Sequence, residues 1–374
     1  MNILFLTFWY PSTAEPYKGI FVKEHAKAIK FAGANITVVA LNLKHGSGLL
    51  KKQYEEFIDE NGIPTHLITI ESAIHKKLYA FPPLLYSIVN SYIKKKRLII
   101  ETANIIHANI IAPCGIVGYW LSKKYNVPLI ITEHWSKIDR FMKLNIFSGT
   151  AKQAYASAKG ISVVSGFLEK KVSQYVPADK KIVIIPNVVN TATFYFQPKT
   201  KTDRVHFTAV ATWELPKLPF LFVEALNEVS LKTNQQFELN LVGEGSQAEE
   251  IKRRVLNLNF KINFLGRLTK EQIALKLFNT DYFLHASQIE TFSVVVAEAL
   301  CTGTPVLASN VGALPELIQQ PTNGILCINT PQDWVNGISA ALSVKFDNKS
   351  IADNFSGKVS EQQIGSQFLS IYKD

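Results

Sequence analysis

Short apolar segments rich in isoleucine and valine alternate along this chain with longer segments in which apolar residues recur at helical spacing. Each short run predicts a strand buried on both faces, and the alternation predicts β-α-β units around a parallel sheet. One helical segment is Ile20–Phe31, which ends before Gly33. The strands predicted in the first half are Ile3–Thr7, Ile36–Leu41, His66–Ile70, Ile105–Ala108, Leu129–Glu133, Ile161–Ser165 and Ile182–Ile185.

The alternation is interrupted at Asn187–Lys201, which is rich in threonine and asparagine, and it then resumes. We therefore predict two α/β domains, residues 1–187 and 188–357, and expect a final helix at about 358–374 to pack back on the first domain. Ligands of open parallel sheets bind at the carboxyl ends of the strands, so the predicted fold is two Rossmann-like domains facing a cleft. The strands predicted in the second half are Phe207–Ala211, Leu239–Val242, Ile262–Leu265, Tyr282–His285, Val306–Ala308 and Ile325–Ile328.

Composition indicates an ordinary globular protein, since 47% of the 374 residues are hydrophobic and 19% are charged. The three cysteines are scattered and form no CxxC pair, which indicates buried thiols in a reducing compartment and no zinc site. The apolar N-terminal run has no basic residue before it and is interrupted by Pro11, so it predicts a strand and not a signal peptide. We therefore expect a cytoplasmic location.

Charge is distributed unevenly between the two halves. Residues 1–187 hold 24 Lys and Arg against 12 Asp and Glu, whereas residues 188–374 hold 16 against 18. A basic half suits an anionic membrane surface, a phosphorylated acceptor or nucleic acid, and also ordinary solvated helix faces. Because no recognised nucleic-acid motif accompanies the charge, we expect no nucleic-acid partner.

The densest chemical signal is HASQIETFSVVVAEALCTGTPVLASNVGALPELI at residues 285–318. Its order predicts a strand, a loop and a helix that starts near Ser293. Backbone N–H groups of Phe292–Val294 would then point at an anion, and a diphosphate fits there. Glu298 suits ribose hydroxyls and Glu290 suits the hydroxyls of a sugar. Alternatively, Glu290 caps the helix and Glu298 lies on its solvent face.

Several segments occur in the order found in one known family. ETFSVVVAE, followed by Gly303, Pro305 and GALPE, resembles the E-x7-E region of family 4 retaining glycosyltransferases of the GT-B fold. IIPNVVNTATF resembles that family's I-P-N-G-V-D-x-x-x-F linker, and VVSGFLEK, LVGEGSQAEEI and FLGRLTKEQI also match in order. The resemblance implies a hexosyltransferase that moves a sugar from a nucleotide diphosphate donor to a glycan or lipid-linked acceptor. It implies a role in cell-surface polysaccharide or glycolipid synthesis.

The resemblance also implies roles for residues of the second, nucleotide-sugar-binding domain. Glu298 would bind the donor ribose, and Glu290 would bind the transferred sugar. Lys217 would stabilise the negative charge that grows on the departing diphosphate. The diphosphate is assigned to Thr291, Phe292, Ser293 and Val294, and the base to Gly266, Arg267 and Leu268.

In the first, acceptor-side domain the resemblance implies two donor contacts. Gly19 in YKGIFV lies where the family brings backbone close to the donor phosphates or the acceptor, although a simple turn before a helix explains it too. His134 in ITEHW lies where the family has a histidine near the reacting carbon, the alternative being a polar helix cap. His107, at the end of another strand, is a candidate for the acceptor side.

The chain departs from the family in the segment AVATWELPKLP. Ala211 and Thr212 stand at the positions of a usual G-R pair and Leu218 replaces a usual glycine, while Lys217 is retained. Loss of the arginine removes an interaction of about 1.5–3 kcal/mol per charged hydrogen bond. Arg267 or a lysine of the first half is a candidate replacement, and slower or absent catalysis is the alternative. Thr291 and Ser293 also replace the usual glycines of an E-G-F-G segment, which favours hydroxyl contacts.

No Asp-x-Asp triplet occurs in the chain, and enzymes that neutralise a diphosphate with a divalent metal generally offer such carboxylates. We therefore predict metal-independent transfer, with no cofactor besides the nucleotide-sugar co-substrate. Two other functions remain open. The absence of the arginine at Thr212 is compatible with a non-catalytic nucleotide-sugar-binding scaffold, and Glu290 would serve as an acid or base in a nucleotide-sugar epimerase.

The acceptor is predicted from two loops of the first half. Leu43–Lys52 and Ile70–Pro83 mix basic, aromatic and apolar residues. Such a mixture suits a lipid-linked or phosphorylated acceptor, and it suits peripheral association with an anionic membrane at its cytoplasmic face. Alternatively, these residues only cover the sheet.

Overall fold

The structure is a computed structural model that describes residues 1–12, 15–48, 50–96, 98–200, 202–254 and 258–373. The chain divides into two compact units. Unit 1 is Met1–Val188 together with Glu361–Asp374, and unit 2 is Val189–Ser360. Each unit is built on its own parallel sheet with helices, which confirms the predicted fold class.

The described residues form strands and helices in the following chain order. The strands of unit 1 are β1 (Asn2–Thr7), β2 (Asn35–Lys44), β3 (Lys51–Ile58), β4 (Pro64–Glu71), β5 (Ile105–Asn109), β6 (Leu129–Glu133), β7 (Gly160–Val163) and β8 (Ile182–Ile184). Those of unit 2 are β9 (Arg204–Val210), β10 (Gln236–Val242), β11 (Lys261–Gly266), β12 (Tyr282–His285), β13 (Val306–Ser309) and β14 (Gly324–Cys327). The helices are α1 (Ile20–Phe31), α2 (His75–Leu78), α3 (Pro82–Lys95), α4 (Leu98–Glu101), α5 (Ile116–Tyr125), α6 (Ile138–Leu144), α7 (Ser148–Ser157), α8 (Gly166–Val172), α9 (Pro219–Lys232), α10 (Ala248–Arg254), α11 (Lys270–Phe278), α12 (Val294–Cys301), α13 (Leu314–Leu317), α14 (Pro331–Ser343), α15 (Asn348–Val359) and α16 (Glu361–Lys373).

The sheet of unit 1 has the strand order β3-β4-β2-β1-β5-β6-β7-β8. All neighbouring pairs are parallel except β3 with β4, which is antiparallel. The direction of winding reverses between β1 and β5, and in open α/β sheets a crevice forms at the carboxyl ends of the two strands at such a reversal. A π-helical turn, Ile111–Gly115, follows β5 at this edge.

The C-terminal helix α16 packs against α1 within unit 1. A Cβ atom on Gly365 would lie 2.2 Å from the carbonyl oxygen of Ala28, so the two helices need a glycine at their closest approach. Phe368 and Tyr372 are fully buried in the same core. The interior of unit 1 is thus completed by the last helix of the chain.

The sheet of unit 2 has the strand order β11-β10-β9-β12-β13-β14, and all its pairs are parallel. Its core includes Phe207 and Leu239 of the sheet with Phe222 of α9 and Trp334 of α14. The winding reverses between β9 and β12. The loops that follow these two strands therefore flank the predicted ligand position of this sheet.

Every predicted strand is present in the structure, although some strand ends differ and one strand of the structure was not predicted. Ile161–Ser165 was expected to be extended throughout, but β7 ends at Val163 because the Ser165 hydroxyl caps α8, accepting a hydrogen bond of 3.2 Å from the Leu168 N–H. The strand β3 was not predicted. The expected loop Leu43–Lys52 therefore shortens, because β2 and β3 include its two ends; residue 49 lies outside the described part. Among the described residues, no helix is long and apolar enough to cross a membrane.

Candidate active site

Two loops of unit 2 meet at the reversal point of its sheet. The loop after β9 is fixed to the loop after β12 by backbone hydrogen bonds from Leu218 N–H to Ala286 O (3.0 Å) and from Gln288 N–H to Pro216 O (2.8 Å). Residues Lys217 and Ser287 form an isolated antiparallel bridge between them. This pairing brings Lys217 next to Glu290, although 72 residues separate the two along the chain.

Glu290 is the centre of a compact polar cluster. Its Oε1 accepts hydrogen bonds from the Lys217 ammonium group and from His285 Nε2, the latter at 2.9 Å. Ser293 Oγ lies 3.2 Å from the same histidine nitrogen, and Lys217 Nζ lies 3.5 Å from it. The side chains of Glu290 and Lys217 are 14% and 20% exposed, and that of His285 is 2% exposed. The carboxylate is therefore largely shielded, and its contacts with Lys217 and His285 both go to one oxygen.

These contacts fix the charge of the cluster. Burial by itself raises the pKa of Glu290, but the hydrogen bond from His285 and the charge of Lys217 outweigh it and lower the pKa to about 2. Burial and the neighbouring Lys217 charge lower the pKa of His285. At neutral pH the cluster thus consists of a carboxylate, an ammonium group and a neutral imidazole that donates its Nε2–H.

The helix α12 starts directly after this cluster, as predicted. Its N-cap residue, Ser293, has φ 75° and ψ 87°, and its side chain makes no capping hydrogen bond. Phe292 is buried, while Thr291, Ser293 and Val294 are partly exposed. Glu290 does not cap the helix, and Glu298 is 4% exposed in its second turn, so the alternative of a capping residue and a solvent-facing one is wrong.

The next loop supports Glu290 from behind. The Glu290 carbonyl accepts a hydrogen bond of 3.0 Å from the Ala313 N–H, and a Cβ atom on Gly312 would lie 2.1 Å from that oxygen. Gly312 also has φ 57°, a left-handed conformation that favours glycine. This explains the glycine of GALPE: its missing Cβ lets the two loops approach.

The residues assigned to the base lie at and after the end of β11. Gly266 has φ 61°, and its carbonyl accepts a hydrogen bond of 2.7 Å from the Gly243 N–H. Arg267 Nε lies 3.0 Å from Glu244 Oε2, and both side chains are 57% exposed. Leu268 lines a cavity of about 500 Å³ under α11. The Arg267 side chain is thus paired with Glu244, whereas Lys217 is the cation at Glu290.

Thr212 lies in the loop after β9, where the resemblance expects an arginine. The loop is anchored on both sides of it, because Ala211 N–H donates to Val242 O at 3.1 Å and Trp213 N–H donates to Glu244 O at 2.9 Å. Trp213 is buried. The backbone around Thr212 is therefore well fixed, although the cationic side chain of the family pattern is missing from it.

In unit 1, His134 follows β6 and is only 5% exposed. Its Nε2 lies 3.2 Å from Asn109 Oδ1, and its ring lies 5.0 Å from the ring of Phe21 and 5.3 Å from that of His25. Burial, with the nearby His25 and His107, lowers the pKa of His134 well below its usual range. His134 is therefore neutral, so one of its ring nitrogens can donate a hydrogen bond and the other can accept one.

Several polar atoms near His134 are buried without a hydrogen-bond partner among the described residues. They lie at the carboxyl ends of β5 and β6 and in the segment after β8, the edge where a ligand of this sheet would bind. Buried polar atoms normally have partners, so such a group indicates a ligand position. The atoms are Asn109 Nδ2, Glu133 Oε2, His134 Nδ1 and Asn187 Oδ1.

Gly19 has a structural explanation of its own. It is the N-cap of α1 with φ 68°, and a Cβ atom there would lie 2.3 Å from the carbonyl carbon and oxygen of Trp9. Both the turn and the contact with Trp9 therefore require glycine. A donor contact by its backbone is compatible with this geometry but is not needed to explain the residue.

His107 is better explained by packing than by the acceptor role we expected. It is fully buried, with Nδ1 2.6 Å from the Tyr372 hydroxyl and Nε2 2.7 Å from Thr132 Oγ1. Burial lowers its pKa to about 3. Because both ring nitrogens already have protein partners, we assign His107 to the joint between the sheet and α16 and withdraw it from the acceptor side.

Two residues of these sites were missed by the sequence reasoning. His285 bridges Glu290, Lys217 and Ser293, and Glu133 accepts hydrogen bonds from the Ile111 N–H and the Tyr155 hydroxyl. Burial raises the pKa of Glu133 to about 7. A signal was available for both, because each is a polar residue that ends an otherwise apolar strand at the carboxyl edge.

Comparison with known proteins identifies the family. Residues 191–355 match the family described as Glycosyl transferases group 1, and residues 19–193 match Glycosyltransferase Family 4. The chain belongs to the family 4 glycosyltransferases. It is therefore an enzyme of the glycosyltransferase class, as the motifs predicted.

Relatives at low identity span most of the chain. An uncharacterized glycosyltransferase of Methanocaldococcus jannaschii, MJ1178, is 25% identical over 77% of this chain and 80% of that protein. N-acetyl-alpha-D-glucosaminyl L-malate synthase of Bacillus anthracis is 22% identical over 75% and 78%. D-inositol 3-phosphate glycosyltransferase of Pseudarthrobacter chlorophenolicus is 24% identical over 86% and 80%.

Solved structures of the GT-B fold match the whole glycosyltransferase. Sucrose-phosphate synthase of Thermosynechococcus elongatus has a TM-score of 0.73 at 19% identity and covers 100% of this chain and 98% of that one. Anabaena HepE in complex with UDP and glucose has a TM-score of 0.71 at 18% identity, with 100% and 99% covered. At this identity the likeness establishes the fold alone.

Proposed function

We propose that this glycosyltransferase moves a hexose-type sugar from a nucleoside diphosphate donor to a glycan or lipid-linked acceptor, with retention of anomeric configuration and without a metal ion. The observation that carries the proposal is the Lys217–Glu290–His285 cluster at the reversal point of the second sheet, directly before α12. It combines a fixed cation, a carboxylate and a helix N-terminus at one ligand position.

The donor binds to unit 2 in this proposal. The diphosphate lies at the N–H groups of residues 291–294, Glu298 accepts hydrogen bonds from the ribose, and the base lies near Gly266 and Arg267. The contacts of Glu290 with Lys217 and His285 go to Oε1, so Oε2 accepts hydrogen bonds from the sugar hydroxyls. The low pKa of Glu290 keeps it an acceptor at neutral pH.

Transfer breaks the bond between the anomeric carbon and the diphosphate oxygen, and it forms a bond from that carbon to the acceptor oxygen. Negative charge develops on the diphosphate, where the Lys217 ammonium group and the helix N–H groups stabilise it. The acceptor proton passes to the departing phosphate oxygen, so Glu290 is not consumed as a nucleophile. In unit 1, the neutral His134 is the side chain that we propose to hydrogen-bond a sugar substrate.

Charge compensation by Lys217 supports a reaction that needs no divalent ion. Similarity supports a nucleotide-sugar donor, because HepE was solved with UDP and glucose. The names of two relatives include the anions L-malate and inositol 3-phosphate, and residues 1–187 of this chain are basic, which supports an anionic acceptor. We place the protein in the cytoplasm or at the inner face of the cytoplasmic membrane, in polysaccharide or glycolipid synthesis.

The first test is thermal stabilisation by nucleotides and nucleotide sugars, with and without EDTA. A ligand that binds only the folded state raises the melting temperature, so one donor series should give a shift that EDTA leaves unchanged. Glu298→Ala should abolish or strongly reduce the shift because it removes the ribose contact. A matched control is Glu271→Ala, which removes an exposed glutamate from the first turn of α11.

The outcomes separate the parts of the proposal. A shift lost in Glu298→Ala and kept in Glu271→Ala supports the donor site and justifies an acceptor screen with that donor. A shift that requires a divalent ion would overturn metal independence. No shift with any nucleotide would overturn the proposed donor site.

A further inference from the structure

Unit 1 exposes large apolar side chains on two neighbouring segments. Leu144 ends α6 and Ile146 lies in the turn before α7, and their side chains are 75% and 86% exposed. Ile74 and Phe81 flank α2 and are each 48% exposed. Single exposed apolar residues are common, but a contiguous group marks an interaction surface. We call Ile74, Phe81, Leu144 and Ile146 the apolar ridge.

The two segments of the apolar ridge are fixed to each other. The Asn145 side chain donates a hydrogen bond from Nδ2 to Ala80 O at 3.2 Å, and its Oδ1 accepts one from the Phe147 N–H at 2.8 Å. The rings of Phe81 and Phe147 meet edge to face with centroids 5.7 Å apart. The ridge is thus held in place by a side-chain clamp at its centre.

The segments that carry the apolar ridge are rich in positive charge. Residues 73–83 and 140–153 contain no Asp or Glu. Asp139, in the first turn of α6, accepts hydrogen bonds from Lys171 Nζ at 3.1 Å and from the Tyr175 hydroxyl at 2.8 Å. The exposed cations of the two segments and of the start of α6 are Lys77, Lys137, Arg140, Lys143 and Lys152.

The position of the ridge in the fold relates it to the acceptor. The segment with α2 follows β4, and α6 follows β6, so both leave the sheet at its carboxyl edge. His134 follows β6 at the same edge. A surface bound to the ridge therefore lies on the side of unit 1 where the acceptor is expected.

We propose that the apolar ridge docks unit 1 on an anionic lipid bilayer, with Leu144 and Ile146 entering the headgroup region and the surrounding cations contacting anionic headgroups. This proposal deepens the proposed function and rests on it for a membrane-resident acceptor. Apolar side chains that protrude from a turn, ringed by Lys and Arg, are the combination that binds such a surface.

A second copy of the chain fits this surface less well. In a two-fold symmetric dimer the same patch faces itself, so the cations around the ridge would face like charges. An anionic bilayer has the opposite charge and no fixed shape to match. Charge therefore favours the bilayer.

The test is flotation of the full chain with vesicles of phosphatidylcholine alone and of phosphatidylcholine mixed with phosphatidylglycerol. Wild type should bind the mixed vesicles, and salt should weaken the binding. Leu144→Ser with Ile146→Ser should weaken it about tenfold or more. The double variant Arg140→Glu with Lys143→Glu should also weaken vesicle binding, by a factor of about five or more for each cation removed.

Matched controls come from unit 2. Leu231 and Leu275 are 68% and 62% exposed, so Leu231→Ser with Leu275→Ser removes similar apolar surface elsewhere. The exposed Lys345 and Lys358 provide the charge control, each changed to Glu. All four variants should keep the wild-type melting temperature and donor-induced shift, and the controls should keep vesicle binding.

Three outcomes overturn the inference. The wild type binds neither kind of vesicle, or the ridge variants bind vesicles as well as the controls do. The third is that light scattering finds the wild type to be a dimer and the ridge variants to be monomers. If vesicle binding fails while the donor-induced shift persists, only this inference falls. If wild type shows no donor-induced shift, the proposed function falls, and vesicle binding then stands as a property of the surface alone.

Discussion

The two units place their candidate functional residues at equivalent positions in similar sheets, but they do so with opposite chemistry. Each set lies at the carboxyl edge beside the point where the strand order reverses. In unit 2 the residues are charged and paired with each other. In unit 1 the histidines are neutral, and several polar atoms of the group have no partner among the described residues.

The paired cluster of unit 2 is already arranged for a charged ligand. Lys217 and His285 hold the Glu290 carboxylate, and they keep its pKa at about 2 in spite of burial. Such pre-organisation lets fixed charges stabilise a transition state without rearrangement during the reaction. The position of the carboxylate is therefore set by the protein before a sugar binds.

The group in unit 1 lacks this internal compensation. His25, His107 and His134 are buried close to one another, and burial lowers the pKa of each, to about 4 for His25 and about 3 for His107. His134 Nδ1 and Asn109 Nδ2 have no hydrogen bond of good geometry among the described residues, although the Asn187 side chain lies close enough to His134 to act on its pKa. Unit 2 thus supplies fixed charges, whereas unit 1 supplies mainly neutral hydrogen-bonding groups.

The largest effect is expected where the charge is removed from unit 2. Glu290→Gln keeps the shape of the side chain and an oxygen for His285, but it loses the negative charge. Turnover should fall by about 10²–10³-fold, as for loss of one pre-organised electrostatic contact. Affinity for the nucleoside diphosphate without sugar should stay the same or rise, because the change frees Lys217 from its ion pair. Steady-state kinetics and calorimetric titration measure the two quantities.

Glu228→Gln is the matched control for this change. Glu228 Oε1 also pairs with a lysine, Lys232 Nζ at 2.6 Å, but on an exposed helix surface. Such a pair contributes little, so turnover and binding should remain at the wild-type level. Wild-type turnover by Glu290→Gln would contradict the assignment of this carboxylate to the sugar.

A smaller but measurable difference is expected on acidification. The three buried histidines of unit 1 have pKa values below the usual 6.5, so the unfolded chain takes up protons first as the pH falls. Their stabilising contribution is complete above pH 6.5 and is lost below it, by about 2 kcal/mol for each of His25 and His107 on reaching pH 5. Glu133, with its pKa raised to about 7, acts in the opposite direction and offsets about one of them.

Unit 2 should lose less stability than unit 1 when the pH falls from 7 to 5. Glu290 contributes above its usual pKa of 4.5, and this contribution is lost only between pH 4.5 and about 2. One buried histidine with a lowered pKa, His285, gives unit 2 a smaller loss than unit 1. Hydrogen exchange at pH 7 and pH 5, corrected for intrinsic rates, should therefore show a larger loss of protection in β5 and β6 than in β12 and β13.

The control for acidification is an exposed histidine of unit 1. His45→Asn removes such a side chain and should leave the pH profile unchanged, whereas His107→Asn should flatten it. Equal loss of protection in the two units at pH 5 would show that the buried histidines do not set the acid sensitivity of unit 1.

The sequence allowed the strands and the helix of the E-x7-E segment to be located, because buried parallel strands need continuous apolar runs. The limits of β6 and β12 were predicted to the residue. The strand β3 was missed because it lies at the sheet edge with mostly exposed, charged side chains in KKQYEEFI. A pattern of burial cannot reveal a strand that is not buried.

The contacts within the candidate sites could not be predicted from the sequence, for a different reason. The contact of Lys217 with Glu290 depends on the adjacency of β9 and β12, which are not consecutive strands. The contact of His107 with Tyr372 spans 265 residues and depends on where α16 packs. Residue types at strand ends indicated which side chains matter, but the long-range topology decided which of them meet.

The smallest effect tests whether the paired cluster of unit 2 depends on the unusual residue that follows it. Ser293 has φ 75°, a conformation that costs a non-glycine residue on the order of 1 kcal/mol, and its hydroxyl lies 3.2 Å from His285 Nε2. Ser293→Gly should change the free energy of unfolding by no more than about 1 kcal/mol, since relief of strain opposes the added freedom of the unfolded chain. Turnover should change by less than about tenfold, because Lys217 and His285 still hold Glu290. Ser293→Ala keeps the strain and lacks the hydroxyl, so denaturant titration should find it less stable than Ser293→Gly. A loss of turnover in Ser293→Gly as large as that in Glu290→Gln would instead make the serine hydroxyl part of the catalytic cluster.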